Sequence, residues 1–115
     1  MFSRHKRSLI AKLRCGILPL EIETGRWRSK PEHERLCKDC NNGEIENENH
    51  FLFRCTTYTE ERQRLINNIM QYDCNFINLS AAEKLKLLMS KEYLSVFATY
   101  LNDIYRHRTE TLYGT

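Results

Sequence analysis

Glycine and proline are scarce in this sequence, with four glycines and two prolines among 115 residues. Disordered tails are usually richer in such residues and poorer in apolar ones. Here 41% of the residues are hydrophobic and 29% are charged, which indicates a folded, mainly α-helical chain. The length suits one small domain, since domains commonly hold about 50 to 200 residues. We therefore predict a single helical domain over residues 1–115.

Long apolar runs are also missing. No stretch of the sequence approaches the roughly 20 apolar residues that cross a bilayer. The basic first residues are not followed by the apolar core and small-residue cleavage site of a secretory signal. We therefore expect no membrane partner and an intracellular, reducing location, either nuclear or cytoplasmic.

Acidic residues are absent from the first 14 positions of the chain. The cations there are Arg4, Lys6, Arg7, Lys12 and Arg14. Residues 36–50 show the opposite balance, with one lysine against four acids, namely Asp39, Glu44, Glu46 and Glu48. The modest net charge of +3 therefore divides into a basic amino-terminal segment and an acidic middle.

Five cysteines are an odd number, which a fully paired disulfide framework would not leave. Three of them lie between Leu36 and Cys55, in a pattern C-x2-C-x9-H-x4-C formed by Cys37, Cys40, His50 and Cys55. Thiolate and imidazole donors suit tetrahedral zinc, and a Cys3His set fills all four positions. The pattern predicts one structural Zn²⁺. The simpler alternative is a set of core cysteines with an incidental histidine, since buried free cysteines are common.

The two cysteines outside this pattern, Cys15 and Cys74, are each flanked by helical-looking sequence. We expect them to be small buried residues rather than reactive thiols.

Helical periodicity and capping signals divide the chain into about four to five helices. We predict helices at 3–14, at 58–72, from Ser80 onward and at 91–109, with Asn47 capping a brief helix through Phe53. Capping boxes are expected at Thr57–Glu60 and at Ser80–Glu83. The zinc module then occupies about 33–58 and the helical carboxy-terminal part about 58–110.

Residues 17–31 carry the least helical signal. Residues 17–22, around Pro19, are predicted to form an extended connector. Residues 23–31 are predicted to form a polar loop that carries three cations and the only tryptophan, namely Arg26, Arg28, Lys30 and Trp27.

The segment Leu36–Cys55, with His50-Phe51-Leu52-Phe53 between its last two predicted ligands, resembles the zinc-binding region that follows the reverse transcriptase of non-LTR retrotransposons. The similarity covers roughly residues 2 to 65 and includes residues 13–20, 22–26 and 34–37. Beyond that only helical character matches. The resemblance implies the same four zinc ligands and a role in binding element RNA or target DNA. It implies no polymerase, and the chain is expected to be a fragment or a standalone relative of such an element.

One departure limits the comparison with viral zinc knuckles. The x9 gap is longer than the x4 gap of a C-x2-C-x4-H-x4-C knuckle, so base-gripping positions cannot be transferred from it.

These patterns are compatible with three classes of function. The first is nucleic-acid binding, in which cations neutralise phosphates and an aromatic ring stacks on unpaired bases. The predicted contacts are Arg4, Lys6, Arg7, Lys12, Arg14, Arg26, Trp27, Arg28 and Lys30. The simpler alternative for each is a solvated charge or, for the tryptophan, a core residue.

The second class is a zinc-stabilised scaffold that docks onto a partner protein or a polymerase body, which the acidic loop favours because carboxylates repel phosphate. The third is catalysis. A closed metal shell offers no position to a substrate, and we expect no catalytic residue and no small-molecule substrate. His33 and His107 are expected to be solvated surface residues.

Overall fold

The computed structural model describes residues 3–113. The predicted mainly helical fold is confirmed. Within this range the chain forms five α-helices, α1 (Arg4–Cys15), α2 (Glu21–Trp27), α3 (Thr59–Met70), α4 (Ala81–Leu88) and α5 (Leu94–Tyr113), together with three short 3-10 turns and one π-helical turn, and it forms no strand. Phe2, one residue of the resemblance, lies outside the described residues. None of the helices in residues 3–113 is both long enough and apolar enough to cross a membrane.

Helix α1 lies close to its predicted bounds of 3–14, and a capping residue occupies each end. The backbone N–H of Lys6 donates to the Ser3 side chain at 3.2 Å, and Gly16 adopts the left-handed conformation with φ of 69°. Leu9, Ile10 and Leu13 form the buried side of this helix, which packs against α5. The polar side of α1 is left to solvent.

The predicted polar loop over residues 23–31 is wrong in its first half, because Glu21–Trp27 form α2. The helix also includes Ile22, which was predicted to lie in the extended connector. Thr24 closes the first turn on Leu20, with its backbone N–H 2.8 Å from that carbonyl. Gly25, a weak helix former, is tolerated because Arg35 lies against it; an added Cβ would come within 2.5 Å of the Arg35 side chain.

Of the two predicted capping boxes, one is confirmed. Ser80 and Glu83 exchange both capping hydrogen bonds at the start of α4. The box at Thr57 is wrong: a short turn, Thr56–Tyr58, precedes α3, whose first residue Thr59 bonds instead to the Thr56 carbonyl. Helix α3 is otherwise close to its predicted bounds.

Helix α5 provides the central wall of the core. Its predicted apolar stripe is buried at Phe97, Ala98, Leu101 and Ile104, as the spacing of three and four residues indicates. The helix continues four residues beyond the predicted end at 109. Arg108, which lies just before the predicted end, is a buried residue of this helix.

Glu46 and Arg108 form a buried, bidentate ion pair between the middle of the chain and α5. Arg108 donates two hydrogen bonds of 2.8 Å to the two carboxylate oxygens of Glu46, and the two side chains are only 3% and 1% exposed. Glu46 also accepts the backbone N–H of Glu21 at 2.7 Å. One carboxylate therefore joins α2, the middle segment and α5.

The expectation that Cys15 and Cys74 are buried is wrong, since both side chains are exposed. Cys15 lies two residues beyond the buried Leu13, about 200° around the helix at roughly 100° per residue. Cys74 lies in the turn after α3.

We predict that Arg108→Met, which leaves the Glu46 carboxylate buried without its partner, lowers the free energy of unfolding by about 3 to 5 kcal/mol. Urea denaturation followed by circular dichroism measures this. Arg106→Met is the matched control, because Arg106 pairs with Asp103 at an exposed site and its loss should cost less than about 1 kcal/mol. Equal losses in the two variants would contradict the role given to the buried pair.

Candidate metal centre

The four residues predicted to bind metal come together in the structure. One ligand atom from each of Cys37, Cys40, His50 and Cys55 lies within 4.8 Å of all the others. Three of the four residues are buried and Cys40 is partly exposed. Residues separated by up to 18 positions in sequence thus form one group of soft donors that suits a single metal ion.

A tight reversal of the chain places the first two cysteines. An isolated antiparallel bridge joins Leu36 to Ile45, and the Cys37 N–H donates to the Glu44 carbonyl at 2.8 Å. The chain turns between them through two residues with positive φ, Asn41 at 56° and Gly43 at 76°. Asparagine and glycine tolerate this conformation best.

A π-helical turn, His50–Arg54, places the other two donors. Its start is fixed by Asn47, whose side chain accepts the His50 N–H at 2.8 Å, as predicted. Its end is closed by the Cys55 N–H, which donates to the His50 carbonyl at 2.7 Å. The wider π turn brings residues five apart to the same side, where an α-helix would offset them.

Arg62 of α3 holds the carbonyl end of this turn. Its guanidinium donates to the carbonyls of Leu52 at 3.2 Å and of Cys55 at 2.9 Å, and the Tyr100 hydroxyl donates to the same Leu52 carbonyl. Helices α3 and α5 therefore fix the backbone next to the last ligand.

The donor atoms pair closely across the cluster. Cys37 Sγ lies 3.9 Å from Cys55 Sγ, and Cys40 Sγ lies 3.4 Å from His50 Nε2. Hydrogen bonding from Cys37, and then from Thr57 and Cys40, lowers the pKa of Cys55 to about 4. The same contact, together with burial, raises the pKa of Cys37. The lowered pKa favours the thiolate form of Cys55, and the thiolate is the form that binds metal.

Glu44 orients the histidine, a role that the sequence analysis missed. Its Oε2 lies 2.7 Å from His50 Nδ1, and Arg54 donates to its Oε1 at 3.1 Å. The hydrogen bond from Arg54 and, to a smaller extent, the one with His50 hold the pKa of Glu44 below its usual value. A carboxylate that accepts the Nδ1 proton leaves the Nε2 lone pair free for a metal. Glu44 lies six residues before His50, and this spacing outside a regular helix does not by itself indicate a contact.

A second group, Cys37, Asp39 and Glu46, also lies within metal-binding distance. Both oxygens of Glu46 already accept hydrogen bonds from Arg108, and one oxygen of Asp39 accepts the Tyr58 hydroxyl. The Cys3His group is therefore the better metal site.

His33 and His107 do not belong to the donor cluster. His33 is exposed, with Nε2 3.8 Å from Glu34. His107 is only partly exposed: its Nδ1 lies 2.6 Å from a Glu61 oxygen, and its ring packs edge-on to Tyr58. The expectation of a solvated surface residue holds for His33, whereas the His107 side chain is 38% exposed and is also engaged by Glu61.

The predicted nucleic-acid contacts fall on two separate helices. Five of them, Arg4, Lys6, Arg7, Lys12 and Arg14, belong to α1. Arg26 and Trp27 lie in the last turn of α2, followed directly by Arg28 and then Lys30. Trp27 is 66% exposed, so the core position that is usual for a lone tryptophan is excluded here.

We predict that Glu44→Ala weakens metal binding roughly 10- to 100-fold, because the His50 ring loses the partner that sets its orientation. Competition with a chromophoric chelator measures the affinity. Glu32→Ala removes the same charge from an exposed position in a neighbouring turn and serves as the control. If both variants bind metal as tightly as the unchanged chain, Glu44 does not support the site.

No protein-family model, no curated protein and no solved structure matches this chain. Its function must therefore be inferred from the geometry of its own residues.

Proposed function

We propose that this chain is a zinc-stabilised module that binds nucleic acid, RNA or DNA, and that it is not itself an enzyme. The observation that carries the proposal is α1, a 12-residue helix that holds five cations and no acid. The metal centre supports the fold that presents this helix.

The distances within the donor cluster favour zinc. A tetrahedral ion with Zn–S bonds of about 2.3 Å and Zn–N bonds of about 2.05 Å separates its ligands by about 3.8 Å for two sulfurs and about 3.6 Å for sulfur and nitrogen. The corresponding separations here are 3.9 and 3.4 Å. Four protein ligands would fill the shell, which suits a structural rather than a catalytic ion.

The cations of α1 are arranged for contact with a phosphate backbone. Arg4, Arg7, Lys12 and Arg14 are exposed, whereas Lys6 donates to Thr99 on α5 at 3.2 Å. From Arg4 to Arg14 the helix extends about 15 Å, at 1.5 Å per residue. A duplex presents one phosphate per 3.4 Å of each strand, so several phosphates lie within reach of this helix.

The acids near the metal centre oppose this function less than their number suggests. Glu46 is neutralised by Arg108, and Glu44 is engaged by His50 and Arg54. Asp39 accepts the Tyr58 hydroxyl. These carboxylates face protein groups, so their repulsion of a phosphate backbone is reduced.

The resemblance of residues 2 to 65 to retrotransposon zinc-binding regions supports the same function, with element RNA or target DNA as the ligand. The alternative, a scaffold that docks its last two helices onto a protein, has less support. In the described part of α4 and α5 the one large hydrophobic side chain that is exposed is Tyr113, and a docking face would be expected to expose more.

We predict that purified protein holds one Zn²⁺ and that a strong chelator lowers its helical content, because metal binding contributes to the folding free energy. Elemental analysis and circular dichroism measure the two quantities. Cys55→Ser and His50→Ala should lose the metal, whereas Cys15→Ser, at an exposed cysteine, should retain it. A metal-free protein with unchanged helicity and thermal transition would contradict a structural zinc.

We also predict that nucleic-acid binding depends on the cations of α1. Replacing Arg4, Arg7 and Arg14 with glutamine should reduce the slope of log affinity against log salt concentration by about 2 to 3, since each phosphate contact contributes about 0.7 to 0.9. Fluorescence anisotropy with labelled oligonucleotides measures the slope. The control replaces Arg64, Lys86 and Lys91, which are exposed cations on other elements. Equal slopes in both triple variants, or no binding at low salt, would overturn the proposal.

A further inference from the structure

Helix α2 ends in an exposed aromatic ring between two anchored cations. Trp27 is 66% exposed. Arg26 precedes it in the last turn of α2, and Arg28 follows it as the first residue beyond the helix. We propose that these three residues form a binding site for an unpaired nucleotide of single-stranded RNA or DNA, an inference that rests on the proposed function.

The exposure of Trp27 is fixed by contacts on other parts of α2. Arg35 lies against Gly25 and donates to the Ile22 carbonyl at 3.1 Å and to the Lys30 carbonyl at 2.9 Å. The first turn of α2 is held by Glu46, which accepts the Glu21 N–H. The helix therefore cannot rotate to bury the indole without breaking these bonds.

Each flanking arginine is held by a buried carboxylate. Arg28 donates to Glu21 at 3.0 Å, and Arg26 donates to Glu23. The arginine side chains are 53% and 61% exposed, whereas their acidic partners are 6% and 10% exposed. A guanidinium has five N–H donors, so each arginine keeps donors free for a phosphate. Because the side chains are already ordered, binding loses less conformational entropy.

Lys38 connects the metal centre to this surface, since it lies between two of the predicted ligands in sequence. Its Nζ is 3.6 Å from Glu21, so Glu21 is shared by Lys38 and Arg28. Two exposed acids, Glu32 and Glu34, follow in the next turn. The surface is consequently mixed in charge, and most of its binding energy must come from the indole rather than from the electrostatic field.

A site that binds mainly through the indole favours single strands as its ligand. Stacking requires a free base face, which single strands offer and the interior of a duplex does not. The α1 surface, by contrast, needs only phosphates and accepts either form. The two surfaces therefore make different contributions: α1 determines the salt dependence, and α2 determines the preference for unpaired bases.

The test uses the fluorescence of Trp27, which is the only tryptophan and so reports directly from the site. The zinc-loaded protein is titrated with 12-nucleotide strands of deoxythymidine and of uridine, with a duplex of equal length and with an abasic strand that carries the same phosphates. We expect both single strands to quench the emission at saturation, and the duplex and the abasic strand to leave it nearly unchanged. Stronger binding of one strand shows whether DNA or RNA is preferred.

Substitution provides the second part of the test, with anisotropy of labelled strands as the readout. Trp27→Ala should weaken single-strand binding roughly 5- to 100-fold while leaving the salt slope and duplex affinity unchanged. Trp27→Phe should restore part of the loss. Tyr72→Ala, which removes another aromatic side chain that is 75% exposed, should have no effect.

The outcomes separate this inference from the proposed function. If Trp27→Ala binds single strands as tightly as the unchanged protein while the α1 variant is impaired, the α2 site is refuted and nucleic-acid binding stands. If the abasic strand quenches as strongly as the intact strand, stacking is refuted in the same way. If no oligonucleotide binds at low salt, both proposals fail.

Discussion

The buried carboxylate of Glu46 is the contact on which the arrangement of this structure depends. It binds Arg108 of α5 through both oxygens, and it also accepts the backbone N–H at the start of α2. Its own backbone pairs with Arg35 and Ile22. A charge that is removed from water is stable only when it is paired and hydrogen-bonded. Glu46 therefore holds α2, the metal centre and α5 in one fixed relation, so the metal loop and the helices support each other.

Local signals in the sequence predicted several helix ends correctly, although the capping box expected at Thr57 did not form. Ser3, Gly16 and the Ser80–Glu83 box mark helix ends because capping involves residues only three or four apart. The cysteine and histidine spacing identified the donor cluster because ligand chemistry restricts the residue types so strongly.

Several other errors arise from contacts that form only in the folded chain. Helix α2 was missed because Gly25 is a weak helix former. Its contact with Arg35, ten residues further along the chain, is visible only in the structure. Glu44 was counted only as an acid because its contact with His50, six residues further along the chain, is not part of a regular helix or strand pattern. The burial of Arg108 could not be inferred from its own helix, since its partner is Glu46. Patterns within one segment do not report such pairings.

The two cysteines outside the metal centre give the molecule a practical property. Cys15 and Cys74 are exposed, whereas Cys37, Cys40 and Cys55 converge on one another inside the donor cluster. A bound metal would shield the second set from alkylation and leave the first set open. The number of thiols that react under native conditions is then a direct gauge of metal occupancy, with two for the loaded protein and up to five once the ion is withdrawn. Cys15 and Cys74 therefore serve as an internal reference when the occupancy of the metal site is measured.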